Sequence, residues 1–160
     1  MGISSVMRRW LIWACVLCSC AAVASARAAT GQVIKVLPQF LDLKGRNSLT
    51  PSLYDRDAYQ AHLREHPELC SGMRFHVEWK SKKPVWEPLK LRVEARGLAK
   101  GDVPKQLVLE LPVQPTGWFS HWDSITVTGE QYKEFGGLTA WRVTLWEGGQ
   151  LLSEQKSFLW

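Results

Sequence analysis

From Gly72 onward the chain alternates apolar and polar residues with a period of two. Met73, Phe75, Val77 and Trp79 share one parity, and Arg74, His76, Glu78 and Lys80 the other, which places apolar groups on one face of a strand and polar groups on the opposite face. The pattern returns at Leu89, Leu91, Val93 and Ala95 against Lys90, Arg92, Glu94 and Arg96. Strands with one wet face imply an antiparallel sheet covered on its other side. Leu107, Leu109, Leu111 and Val113 predict a third strand, ended by Pro115 and Gly117, and Trp122 to Thr128 a fourth with Ile125 and Val127 inward. In a fifth, Trp141, Val143 and Leu145 alternate with Arg142, Thr144 and Trp146. Gly148-Gly149 supplies a turn able to take positive φ, and Leu151 to Trp160 return as its hairpin partner. With an early strand near Val33 to Leu43, broken or edged at Pro38, the expected fold is mainly β, a seven-stranded antiparallel sandwich.

One segment departs from this pattern. Between Pro51 and Pro67, Tyr59 and Leu63 stand four apart with Ala58 and Ala61 beside them, predicting a helix over about 52–65 between the first and second strands. Thr50 before Pro51, or Ser52 with Asp55 three later, would cap its start, and Pro67 stops it. A further turn of helix is predicted at Glu130 to Phe135. From Met73 to Trp160 the chain resembles an immunoglobulin-like or fibronectin type III-like domain, with Trp79 on an early strand and WRVTLWEGGQLLSEQKSFLW as the last two strands. The resemblance implies an aromatic pair buried between an early and the penultimate strand, places that Trp79 and Trp141 would fill. The Cys…Trp…Cys framework of antibody domains is absent, and no tyrosine stands in the penultimate strand. The whole chain also resembles small exported bacterial proteins to which no activity is assigned. Neither resemblance brings functional residues with it.

The leader changes how composition is read. Arg8 and Arg9 precede an apolar run from Trp10 to Val23, and Ala24, Ser25, Ala26, Ala28 and Ala29 follow, the order of an export signal over residues 1–29. Ala24-Ser25-Ala26 and Ala26-Arg27-Ala28 fit simple cleavage, giving a periplasmic or secreted chain. Leu17-Cys18-Ser19-Cys20 resembles a lipobox instead, and a lipid on Cys20 would tether the protein to a membrane. Simple cleavage is the expectation and the lipoprotein its alternative. A twin-arginine route matches only loosely, and the run falls short of the about 20 apolar residues of a membrane span. Residues 30–160 then form one sandwich domain, enough to bury roughly two thirds of its unfolded surface. Without Arg8, Arg9 and Arg27, basic residues number 17 against 15 acidic, and they alternate with acids rather than cluster. Nucleic acid is therefore not an expected partner. Lys80, Lys82 and Lys83 read as a solvated turn before Pro84. Cys15, Cys18 and Cys20 lie in the leader, leaving Cys70 without an internal disulfide partner.

Catalytic motifs are sparse. His62-Leu63-Arg64-Glu65-His66 fits H-x-x-E-H, in which two histidines one helical turn apart bind zinc and the glutamate activates water. Pro67 places His66 at a fraying helix end and no third ligand stands out, so the expectation is a histidine pair on a solvated face and no metal site. Asp55-Arg56-Asp57 begins like a calcium loop that Tyr59, Gln60 and His66 break. Cys70, with His66 and His76 as candidate partners, is expected to be structural. No nucleophile elbow, phosphate loop or dinucleotide fingerprint occurs, and no cofactor is implied.

Seven tryptophans follow the leader: Trp79, Trp86, Trp118, Trp122, Trp141, Trp146 and Trp160. Phase puts Trp79 and Trp141 in the core and leaves Trp146 out of phase. Trp86, in a proline-flanked turn, and GWFSHW at Gly117 to Trp122 fall at loops, where the rings are expected to plug the sandwich ends or, failing that, to stack on sugars. The expected function is an exported, non-catalytic binding or assembly module with a protein or glycan partner in the cell envelope. A carbohydrate-binding module using Trp86, Trp118 and Trp122 is the alternative, and a zinc hydrolase through His62, Glu65 and His66 the distant one.

Overall fold

The period-two segments form strands in the computed structural model, which describes residues 31–82, 85–115 and 117–160. The leader with Cys15, Cys18 and Cys20 lies outside the described residues, as do Lys83, Pro84 and Thr116. In chain order the elements are β1 (Gly31–Asp42), α1 (Leu53–Glu65), a tight turn of helix at Pro67–Leu69, β2 (Cys70–Ser81), β3 (Leu89–Ala99), β4 (Val103–Val113), β5 (His121–Thr128), α2 (Gly129–Phe135), β6 (Gly137–Glu147) and β7 (Gln150–Lys156). The chain is mainly β. Its strands form two antiparallel sheets, ordered β1-β2-β5 and β4-β3-β6-β7.

The inward parities meet between the sheets. Phe75, Val77 and Trp79 of β2 and Ile125 and Val127 of β5 pack with Leu91 and Val93 of β3 and Val143 and Leu145 of β6 in one core. Each such side chain contributes about 1.5–3 kcal/mol when fully buried. Trp79 is completely buried, whereas Trp141 is only half-buried despite its phase. The aromatic groups that close that end are Tyr132 and Phe135, both buried and both from α2. Gly97 lets Phe135 approach, since a Cβ there would lie 2.8 Å from the ring. Trp146 is half-buried, its Nε1 donating to Thr144 Oγ1 at 2.8 Å. Gly148, with φ +55°, makes the β6–β7 turn.

The last strand is shorter than its sequence pattern. β7 stops at Lys156, because Ser157 folds back to bond Trp141 through both its N–H and its Oγ. Trp160 then turns over the guanidinium groups of Arg96 and Arg142, at 4.1 and 5.0 Å from its ring centre, a favourable cation–π arrangement.

α1 is capped by Ser52, whose side chain accepts from Asp55 N. The residues it buries are Gln60 and Leu63, while Ala58 and Ala61 are exposed. The reason lies in β1, an edge strand whose outward backbone groups lack a strand partner. Gln60 Oε1 accepts from Phe40 N at 2.7 Å and its Nε2 donates to Phe40 O and Asn47 O at 2.9 and 2.8 Å. One amide side chain thus replaces a neighbouring strand. Pro38 shares the parity of Phe40, so its missing N–H falls on that same free side, and the strand runs through it unbroken.

Asp42, buried where β1 ends, accepts from the backbone N–H groups of Lys44 and Arg46, the Arg46 side chain and Tyr59 Oη. Burial alone would raise its pKa, but hydrogen bonds from Arg46, Tyr59 and Lys44 outweigh it and hold the carboxyl at about 2.

Gln60→Leu should destabilise the fold by about 1–3 kcal/mol, because it leaves both Phe40 groups unpaired; an unchanged urea midpoint would contradict this. Since the folded pKa of Asp42 lies below its ordinary 3.8, its stabilisation is complete above that value and is lost as pH falls toward 2. Acid titration of Asp42→Asn should therefore lack that part of the wild-type loss, read by circular dichroism between pH about 5 and 2.

Candidate functional site

Three connections gather at one end of the two sheets. Trp79 pairs with His121 and Leu89 with both Val113 and Glu147, so the end of β2, the start of β3, the end of β4, the start of β5 and the β6–β7 turn lie at the same end. This end displays aromatic rings rather than burying them. Trp86 is 70% exposed, Trp118 87%, Phe119 81% and Trp122 44%. The expectation that these tryptophans plug the sandwich end is corrected by their exposure: Trp79 is the tryptophan that the core buries, and Trp86, Trp118 and Trp122 face solvent.

The display is built. Glu147 is buried, and its Oε1 accepts from Trp86 N at 2.7 Å and Glu87 N at 3.4 Å, while Gly148 N donates to Pro88 O. A carboxylate on the inward parity of β6 thereby fixes the loop that carries Trp86. Lys82 Nζ lies 5.9 Å from the Trp118 ring centre, and Ser120 Oγ donates to Glu78 Oε1 at 2.8 Å. Trp122 stands on the outward parity of β5 beside Glu78 of β2.

Phe119 borders a groove of about 490 Å3 between the end of β4 and the start of β5. Leu111, Pro112 and Phe119 form apolar walls, and Gln114, Ser120, His121 and Asp123 supply polar groups. Asp123 is held by Trp79, whose Nε1 donates to Oδ2 at 2.7 Å. Planar rings next to carboxylate, amide, imidazole and hydroxyl groups can stack on an apolar face of a ligand while hydrogen-bonding its edge.

The other sequence-derived candidates lie elsewhere. His62 and His66 do meet on one side of α1, with ring centres 4.5 Å apart and planes tilted by 49°, but His66 caps the helix and its Nδ1 meets Glu68 Oε1 at 3.1 Å. Glu65 is exposed, and among the described residues no group of three His, Cys, Asp or Glu side chains is arranged to hold a metal ion. Cys70 is half-buried, and its Sγ donates to Leu63 O at 3.3 Å rather than to an imidazole. His76 instead meets Ser124 Oγ through Nδ1 at 2.8 Å. Asp123 and Glu147 were not among the sequence candidates. Their signal was present: Asp123 shares the parity of Ile125 and Val127, and Glu147 that of Val143 and Leu145, so each is a carboxylate on the inward parity of its strand.

Glu147→Ala should speed amide exchange at Trp86 and Glu87 by about tenfold or more relative to Val93, since a bond to a charged acceptor is worth about 1.5–3 kcal/mol. Glu147→Gln, which keeps an oxygen acceptor, should do less. Equal exchange in all forms would show that the carboxylate does not hold the loop.

Comparison of the chain with protein-family models, with curated proteins and with solved structures finds no match.

Proposed function

We propose that this chain is an exported, non-catalytic recognition module built as an immunoglobulin-like, fibronectin type III-like sandwich, and that it binds a glycan of the cell envelope through its aromatic end. The division of strands into β1-β2-β5 and β4-β3-β6-β7 supports the fold assignment, since sandwiches of this kind present their recognition loops together at one end. The observation that carries the function is the exposure of Trp86, Trp118 and Phe119 on loops of that end, with Phe119 lining a groove that also holds His121 and Asp123. Large apolar rings left in water and clustered near polar groups mark a binding surface. Sugars offer an apolar ring face bordered by hydroxyls, which complements both features.

A protein partner is the second reading. It is favoured by Leu49, Leu53 and Tyr54, all exposed around the start of α1, and would make the chain an assembly module. In both readings export through residues 1–29 delivers the protein to the periplasm or beyond, and a lipid at Cys20 would hold it at a membrane.

Trp118→Ala and Trp86→Ala remove no core contact, so each should change stability by less than about 0.5 kcal/mol. Each should weaken binding to an envelope-derived saccharide by about tenfold or more. Tryptophan fluorescence titration and a glycan array read the two effects. Unaltered saccharide binding by the folded variants, or none by the wild type, would sink the glycan reading.

A further inference from the structure

The opposite end of the strands carries a second concave site, independent of the aromatic loops. It is a cleft of about 300 Å3 between the last turn of α1, the α2 helix and the start of β6. Its walls include Phe40, Leu63, Tyr132 and Leu138, with Cys70 among them and Arg64 and Lys133 at the rim. The volume is at the small end of ligand pockets, which combine apolar walls with a few placed polar groups.

Charge distinguishes this cleft from an ordinary crevice. Its lining contains two cations and no carboxylate. Lys133 Nζ also reaches Glu130 Oε1 at 3.0 Å, on the solvent side of α2. Arg64 makes no ion pair among the described residues. The groups within the cleft add no opposing charge, since burial raises the pKa of both the Cys70 thiol and the Tyr132 phenol and keeps them neutral.

We propose that the cleft binds a small amphiphilic carboxylate. Its alkyl body would lie against Phe40, Leu63, Tyr132 and Leu138, and its anionic head would meet the Arg64 guanidinium. A guanidinium pairs a carboxylate through two parallel hydrogen bonds, which gives the site a preference for that head over neutral or cationic ones. An alkyl chain seated there covers the Cys70 thiol, so the protein carries its own reporter of occupancy.

The test uses the full chain, with alkylation of Cys70 by iodoacetamide at about pH 8 read by peptide mass spectrometry. Decanoate, decanol and decyltrimethylammonium are compared below their micelle concentrations. Decanoate should slow Cys70 alkylation by about tenfold near saturation, and the other two should do much less. Arg64→Glu, a surface change, should abolish protection by decanoate while leaving the urea midpoint in place. Leu138→Trp, which fills the cleft, should slow alkylation without any amphiphile. Absence of protection, equal protection by all three compounds, or full protection by decanoate in Arg64→Glu would each overturn the proposal.

Discussion

The indole of Trp79 imposes the constraint on which the rest of this structure depends. Its ring sits on the central strand of the three-stranded sheet and is wholly buried between the sheets. Its N–H, removed from water, requires an acceptor, because an unpaired buried donor costs about 1–3 kcal/mol. Asp123 meets that requirement from β5 at 2.7 Å. The same contact sets the depth of Asp123 in the groove between β4 and β5, so a demand of the core decides where a surface carboxylate stands. Trp79 is buried at 0% exposure, whereas the rings of Trp86, Trp118 and Phe119 stand in solvent.

Edges are the second constraint. Two open sheets present four edge strands, and each is managed differently. β1 is covered by the Gln60 amide and bonds β7 at its start, where Ser153 Oγ accepts from Val33 N at 3.1 Å. On β4, Pro104 and Pro112 pair with Leu98 and Lys90 on the β3 side, and their shared parity puts two missing donors on the free edge. β5 is short, with eight residues. On the β1–β7 side the two sheets bond to each other through Ser153 and Gln155, whereas the β4–β5 side forms the groove. Protection against edge pairing and provision of a site are thus divided between opposite sides of the molecule.

The two ends of the strands differ in kind. At one, a buried carboxylate and a glycine turn hold the loop that presents Trp86 to solvent. At the other, α1 and α2 lay apolar residues over the sheet ends, leaving a cleft rimmed by cations. Asp42 ties α1 to this second end through Tyr59 and Arg46. The inserted helix therefore closes an edge and shapes a cavity at once. Its low apolar content follows from docking by an amide rather than by an apolar stripe.

Strand existence, parity and the inward sets of β2, β3 and β5 were legible in the residues alone, because alternation is a local property and one buried face makes it strict. The Ser52 cap, the stop at Pro67 and the helical turn before Gly136 were legible for the same reason. Loop tryptophans have no parity, so the exposure of Trp86 and Trp118 depended on which neighbours fill the space beneath them. The burial of Gln60 has no local signal, because it depends on β1 being an edge whose Phe40 backbone groups take the Gln60 amide as partner. Trp141 had the right phase, but α2 supplied the aromatic groups that closed its end. The amino-acid order by itself determined which segments are strands and which face of each is apolar, since these follow from side-chain period. Only the tertiary structure decided how the sheets pair, which polar groups are buried and which rings face water, because those depend on contacts between residues distant in the chain.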